Sequence, residues 1–390
     1  MKIAYIVRNY NKRGGISGYT AELAERFSKH NEVHVYASSI EDASGRIIQH
    51  SVPMTSFPLF ARMKKHSWNV AFEVPSFMKN ASAMLESARY DIVHSQGDFS
   101  GACDVYTAHS CHKAWLETAR ANSEGGILEA LKKSAYNPLH RQILKGEYYA
   151  VTRSKKVIAV SKRVKDELLG RYQLPEDKIS VIYNGVDTER FGGKEAAAAR
   201  SEVRKAHSLK EDDVVAVFPA HEFKRKGLVQ ILEAMKLLNK ANFYLFVIGR
   251  DNPAGYTDLT AEYGLSKNVL FLGERKDMEN YYAASDMMIF PTLYEPFGLA
   301  VTEAMAAGLP VIVSAQAGAA ELITDGSDGL VLKDRNDSKE LADKIARLAG
   351  SKTARAEIGQ QARKTAERYS WDIIAEKTGE LYAAAAGLKQ

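Results

Sequence analysis

Short apolar runs alternate with amphipathic stretches along almost the whole chain. Lys2–Arg8 reads as a buried strand, and Val33–Ala37 as a second. Between them Gly18–His30 has Leu23 and Phe27 four apart, the spacing of one helical face. Asp91–His94, Val105–Ala108 and Lys156–Val160 are further short apolar segments with the look of strands. Such runs separated by helix-length stretches predict parallel pairing, because parallel neighbours need crossover connections.

The alternation then starts again. Val214–Pro219, Phe243–Gly249, Val269–Leu272, Met287–Pro291 and Pro310–Ser314 read as strands, with Leu228–Lys240 and Gly298–Ala307 as helices between them. The break falls near 180–212, at the turn signal Asn184-Gly185, Phe191-Gly192-Gly193 and an alanine- and charge-rich run. Two Rossmann-like α/β domains are therefore expected, 1–185 and 186–370. A last amphipathic helix, Trp371–Leu388, should pack back on the first, with Ile373, Ile374, Thr378, Leu381 and Tyr382 as its buried stripe. No strict repeat or long low-complexity tract occurs.

Composition narrows the class. The 390 residues suffice for two cores, and 45% hydrophobic with 26% charged residues is ordinary for a globular protein. No apolar run approaches the ~18–20 residues that span a bilayer. The N-terminus, with one basic residue and a short apolar run, reads as a first strand and not as a signal peptide. Two cysteines, Cys103 and Cys111, exclude a disulfide framework and suit a cytoplasmic protein. The net charge of +5 is uneven: residues 1–185 hold 26 Lys/Arg against 18 Asp/Glu, or +8, which leaves −3 for the rest. A basic half fits an anionic lipid, a phosphorylated acceptor or nucleic acid, and equally a solvated surface. Arg62, Lys64, Lys65, Trp68 and Phe72, then Lys132, Lys133 and Arg141, mix basic and aromatic residues. That mixture suits peripheral contact with an anionic membrane face, or a loop and helix in solvent.

The most informative stretch runs from Tyr294 to Ile312, YEPFGLAVTEAMAAGLPVI. It joins two predicted strands, so its loop lies at the carboxyl end of a strand, where open α/β sheets bind ligands. Pro296 and Gly298 suit a tight bend into a helix. The first N–H groups of that helix lack intrahelical partners and lie at its positive end, a ready site for a diphosphate. Glu295 precedes the helix, and Glu303 lies about one and a half turns inside it. Ionised carboxylates accept hydrogen bonds, and sugars present rows of hydroxyl donors.

The whole pattern, two glutamates eight apart with Pro-Phe-Gly-Leu between them and Glu-Ala-Met-Ala-Ala-Gly-Leu-Pro-Val-Ile after, resembles the signature of glycosyltransferase family 4. The resemblance implies a retaining enzyme of GT-B fold, whose two domains face each other across a donor cleft. It implies that Glu295 contacts hydroxyls of the transferred sugar and Glu303 the ribose. Backbone amides of Phe297, Gly298, Leu299, Ala300 and Val301 would serve the sugar and diphosphate.

Three other places fit that resemblance. Phe223-Lys224-Arg225-Lys226-Gly227 resembles the family's basic pair before glycine, so Arg225 and Lys226 would neutralise the diphosphate and steady the departing nucleotide. His221 stands near the place where some members carry an arginine. Gly14-Gly15 after the first strand resembles the Gly-Gly loop that closes over the diphosphate, where Gly15 allows close approach. His109, ending the Val105–Ala108 strand, matches a histidine that reaches the sugar or the reaction centre. Asp104-Val105-Tyr106-Thr107-Ala108-His109 with Lys113 and Glu117 resembles, more loosely, bacterial glucosyltransferases of the lipopolysaccharide core.

Rival readings are weaker. A dinucleotide fold wants GxGxxG and an acid ending the second strand; here the spacing differs and that strand ends Val35-Tyr36-Ala37-Ser38. Cys103, His109, Cys111 and His112 match no usual zinc spacing. The resemblance also implies no cofactor and no metal. The function expected is transfer of glucose or another hexose from its UDP derivative to a glycan or lipid-linked acceptor, with catalytic roles for Glu295, His109 and Lys226 and no nucleic-acid partner. Transfer of mannose from GDP-mannose, epimerisation of a nucleotide sugar, and non-catalytic nucleotide-sugar binding are the alternatives.

Overall fold

The computed structural model describes residues 1–55, 66–97, 101, 103–122, 138–193 and 195–387. It divides into two units, Met1–Asn184 with Trp371–Gln390, and Gly185–Ser370.

The first unit is a parallel sheet of seven strands. In chain order these are β1 Lys2–Ile6, β3 Glu32–Ala37, β5 Ile47–Ser51, β6 Ile92–Gln96, β7 Val105–Ala108, β8 Lys156–Ala159 and β9 Ile179–Val181. Their order across the sheet is β5-β3-β1-β6-β7-β8-β9. β1 pairs with β3 (Ile3↔Val33) and β6 (Ile3↔Ile92). The run Ile3-Ala4-Tyr5-Ile6 is wholly buried, as expected of a strand covered by helices on both faces. The expected strand Lys2–Arg8 stops at Ile6. The chain then bends so that β2, Asn9–Tyr10, pairs with β4, Ser39–Ile40, in a small separate sheet.

The second unit repeats the plan with six parallel strands. These are β10 Val214–Pro219, β11 Phe243–Ile248, β12 Val269–Gly273, β13 Met287–Phe290, β14 Val311–Ser314 and β15 Leu330–Leu332, in the order β12-β11-β10-β13-β14-β15. In both sheets the chain moves outward from one central strand, returns, and continues on the other side. The switch lies between β1 and β6 in one unit and between β10 and β13 in the other. Adjacent connections diverge there, and in open α/β sheets the carboxyl ends of strands at such a switch are where ligands bind.

β5, β9 and β15 have no counterpart among the expected strands. All three are edges, and IIQHS buries only its first residue fully. An edge exposed on one side needs no sustained apolar run, so periodicity does not reveal it.

The helix Trp371–Ala385 belongs to the first unit. Its buried positions are Trp371, Ile374, Thr378 and Tyr382; the expected stripe residues Ile373 and Leu381 are only half-buried. Tyr382 packs on Phe27 with ring centroids 5.0 Å apart, and Arg26 Nε donates to Asp372 Oδ1 at 2.6 Å.

Among the described residues no helix is long and apolar enough to cross a membrane. Of the basic–aromatic residues, Arg62, Lys64, Lys65, Lys132 and Lys133, and the side chain of Trp68, lie outside the described set. Phe72 and Arg141 are exposed on the helices His66–Glu86 and Pro138–Arg153.

Candidate active site

Two loops meet at the switch point of the second sheet. One follows β10 and carries Phe223–Lys226 as a single helical turn. The other follows β13 and leads into the helix Leu299–Ala306. β10 and β13 are hydrogen-bonded neighbours (Ala216↔Met287), so their carboxyl ends deliver both loops to one place. The loops are then stitched together: Leu293 N–H donates to Arg225 O at 2.9 Å, and the Arg225 guanidinium donates to the Tyr294 carbonyl.

This stitching brings Lys226 and Glu295 into an ion pair, with side chains only 13% and 16% exposed. Arg225 Nη1 stands 3.5 Å from the same carboxylate, and Arg225 Nη2 pairs with Glu222 at 2.6 Å. The Lys226 ammonium also lies 4.7 Å from the centre of the Phe290 ring, a cation–π contact. Burial pulls the Lys226 pKa below its ordinary value; Glu295 opposes that shift and Arg225 adds to it. Two cations and one carboxylate thus share a half-closed space, and a diphosphate arriving there would compete with Glu295 for Lys226.

The backbone around Glu295 is fixed on both sides. Its N–H donates to Gln316 O at 3.2 Å, its carbonyl accepts from Gly318 N–H at 2.9 Å, and Phe297 O accepts from Ala319 N–H at 2.7 Å. Gly298 caps the helix at φ 103°, a left-handed conformation that glycine adopts without strain. A Cβ at that position would stand 3.2 Å from Glu295 Cγ. The N–H groups of Leu299 and Ala300 precede the first intrahelical bond and point out of the positive end. Of the five residues expected to offer amides, Val301 has its N–H committed to Gly298 O at 2.9 Å.

Glu303 lies deeper and half-buried. Tyr282 Oη donates to its Oε2 at 3.0 Å. Burial raises the Glu303 pKa; Tyr282 and the charge of Arg190 pull it back, and Glu279 adds to the rise. Sequence reasoning missed Tyr282, which is fully buried in a short helix and indistinguishable by pattern from a core tyrosine. It missed Phe290 for the same reason.

Gly227 shows how tightly the cationic loop is seated. It adopts φ 93°, and a Cβ there would lie 2.3 Å from Pro291 O, whose carbonyl also accepts from Arg335 Nε at 3.1 Å. Gly227→Ala should therefore cost stability by about 1–3 kcal/mol, since both the conformation and the close approach exclude a methyl group. Chemical denaturation checks this; an unchanged midpoint would show that the loop yields freely.

Gly14, Gly15 and His109 lie in the first unit. Gly14 and Gly15 adopt φ 92° and 61°, and Gly14 caps the helix Gly15–Phe27. Nothing lies within 4 Å of a Cβ built on either, so conformation and not crowding demands glycine. His109 stands at the carboxyl end of β7. Its Nε2 is 2.9 Å from Gln96 Oε1, and the Tyr19 ring meets it edge-on at 4.9 Å. Burial lowers its pKa to about 3, so the imidazole is neutral. Gln96 was not singled out, although its place at the end of β6, beside the switch point, is the sequence signal that could have found it.

His221 accepts from Arg250 N–H at 3.2 Å. Lys113 sits 5.9 Å over the Tyr172 ring, and Glu117 pairs with Arg171 at 2.5 Å. Cys103 and Cys111 form no disulfide. Glu147 holds the start of the helix His112–Ala121 by accepting from His112 N–H at 2.5 Å. Among the described residues no three His, Cys, Asp or Glu side chains are grouped to hold a metal ion.

Comparison with known proteins adds a family. Residues 13–190 match the family model described as Glycosyltransferase Family 4, and residues 199–365 the model described as Glycosyl transferases group 1. The chain is 27% identical to a D-inositol 3-phosphate glycosyltransferase of Saccharomonospora viridis, covering 95% of this chain and 89% of that protein. Among solved structures, WaaG, a glycosyltransferase involved in lipopolysaccharide biosynthesis, superimposes with TM-score 0.79 at 22% identity, covering 97% of this chain and 99% of that one. Anabaena Alr3699/HepE in complex with UDP-glucose gives TM-score 0.74 at 19% identity, covering 98% and 100%.

Proposed function

The chain belongs to glycosyltransferase family 4, with two parallel-sheet domains of the GT-B class, and from that premise we propose that it moves a hexose, taken as glucose, from its UDP derivative to a hydroxyl of a glycan or glycolipid, with the anomeric configuration retained. The observation that carries the donor half is the meeting of Arg225, Lys226 and Glu295 beside the open N-terminus of Leu299–Ala306.

In this reading the diphosphate lies against that helix end and draws Lys226 away from Glu295. The exchange frees the Glu295 carboxylate to accept hydroxyl protons of the sugar. Glu303, held by Tyr282, receives the ribose hydroxyls. As the bond from the anomeric carbon to the diphosphate oxygen breaks, negative charge grows on the leaving phosphate, and Arg225 and Lys226 stabilise it. The acceptor oxygen bonds to the same face of the anomeric carbon, and its proton passes to the departing phosphate oxygen. Two fixed cations supply the neutralisation that a divalent metal would otherwise give, so donor binding is read as metal-independent. His109 contacts the sugar or the reaction centre as a neutral imidazole.

UDP is favoured over GDP by the fold shared with the UDP-glucose complex of HepE, and a lipopolysaccharide-type acceptor by the likeness to WaaG. The Saccharomonospora relative favours a second acceptor class, a phosphorylated polyol, which the basic N-terminal half would also suit.

Calorimetric titration of UDP, GDP and ADP, with and without magnesium, tests the donor reading. UDP should bind selectively and equally well in both conditions. Selective GDP binding would replace glucose by mannose chemistry, and binding of none of the three would overturn the donor site.

A further inference from the structure

The side chain of His109 opens a chain of hydrogen bonds that runs through the core of the first unit to its last helix. Gln96, His94, Tyr382 and Tyr5 are all buried, none more than 1% exposed. His109 Nε2 is 2.9 Å from Gln96 Oε1, and Gln96 Nε2 is 2.9 Å from His94 Nε2. His94 Nδ1 is 2.6 Å from Tyr382 Oη, which donates to Tyr5 Oη at 2.8 Å. Thr107 Oγ1 stands 2.7 Å from the same His94 Nε2.

Each link can carry only one bridging proton, and each neutral imidazole has one donor nitrogen and one acceptor. The direction of one link therefore fixes the next. Tyr382 gives its proton to Tyr5, so it accepts from His94 Nδ1–H. His94 Nε2 is then a lone pair and accepts from the Gln96 amide nitrogen. The amide oxygen consequently faces His109 and accepts from its Nε2–H. What is left at His109 is an Nδ1 lone pair, with no hydrogen-bond partner among the described residues. Burial lowers the pKa of both histidines to about 3, so neither ring takes the second proton that would break this rule. The ring plane is held separately by Tyr19, whose edge contact reaches on to Trp371 at 5.5 Å.

We propose that Gln96 is a positioning residue that holds His109 in its Nε2–H form, and that Tyr382 of the C-terminal helix sets this form from three hydrogen bonds away. The inference rests on the reading that His109 works at the reaction centre as a hydrogen-bond acceptor. Reversal of the chain would turn its outward nitrogen into a donor without moving the ring, and a hydroxyl bound there would lose its acceptor. A merely structural network would contribute stability alone and leave the choice of tautomer without consequence.

The test is nitrogen NMR of the full chain labelled with 15N-histidine, with His109→Gln used to assign the His109 signals. The wild type should show a protonated Nε2 and a bare Nδ1 at His109 between about pH 5 and pH 8. Tyr382→Phe removes the acceptor for His94 Nδ1–H and should reverse the chain, leaving His109 protonated on Nδ1. Turnover should then fall about tenfold, the worth of one hydrogen bond, with UDP affinity unchanged. Gln96→Leu cuts the chain and should give a mixture of tautomers. A wild-type His109 protonated on Nδ1, or a tautomer indifferent to both variants, overturns the proposal. A tautomer that reverses while turnover stays constant upholds the chain and removes His109 from the reaction. Should Tyr382→Phe fail to fold, the wild-type and Gln96→Leu spectra decide.

Discussion

Glu295→Gln should lower turnover by about 10²–10³-fold, the range seen when one oriented charge-stabilising group is lost from a reaction centre. The same substitution should leave UDP affinity as high as in the wild type, or raise it. Both parts follow from the ion pair at the end of β13. The Glu295 carboxylate pairs with Lys226, so a diphosphate that takes Lys226 has to displace it. Glutamine keeps the shape, offers no charge to Lys226, and removes that competitor. It also provides only a neutral acceptor for the sugar hydroxyls, which weakens the contact that must strengthen as the sugar becomes cationic. Steady-state kinetics paired with UDP calorimetry reads both quantities. Unchanged turnover would remove Glu295 from the mechanism, while a large loss of UDP affinity would show that Glu295 organises the phosphate site instead of competing for it.

Lys226→Met should act in the opposite sense on binding. Loss of a charge-assisted contact of about 1.5–3 kcal/mol predicts UDP affinity about 10–150-fold weaker. Turnover should fall further, since charge on the leaving phosphate grows along the reaction. Methionine preserves the apolar stem over Phe290, so stability should change less than function. The change leaves Glu295 with Arg225 at 3.5 Å as its remaining cation. Because Lys226 and Glu295 touch, the double variant should show a smaller loss than the two single losses combined. UDP affinity that survives Lys226→Met would transfer the phosphate role to Arg225 and to the helix end.

Most of this site was legible along the chain. Glu295, Gly298 and Glu303 stand in a motif whose turn, helix start and following strand all agree, and such agreement across a long segment is what makes a local reading specific. The basic pair was legible because it follows the first strand of its domain, where the sheet's carboxyl end faces ligand. Buried partners were not legible. Tyr282, Phe290 and Gln96 look like core residues because they are core residues, and their contacts with Glu303, Lys226 and His109 appear only in the tertiary structure. The helix Trp371–Ala385 illustrates the same limit: its amphipathic period was plain, but the rotation that buries Trp371 and leaves Ile373 and Leu381 half-covered depends on the surface it meets.

The sequence alone determined the kind of protein this is. Hydrophobic alternation is a local property of strands and helices, and it specified two parallel α/β series, the break between them, and a glycosyltransferase motif at a strand's carboxyl end. Tertiary structure decided which side chains meet. Lys226 and Glu295 are 69 positions apart, and only the pairing of β10 beside β13 makes them partners. His109 and Tyr382 share one chain of hydrogen bonds because the last helix returns to the first sheet. Strand order and helix docking arise from packing between segments distant in sequence, and no window of residues along the chain contains that information.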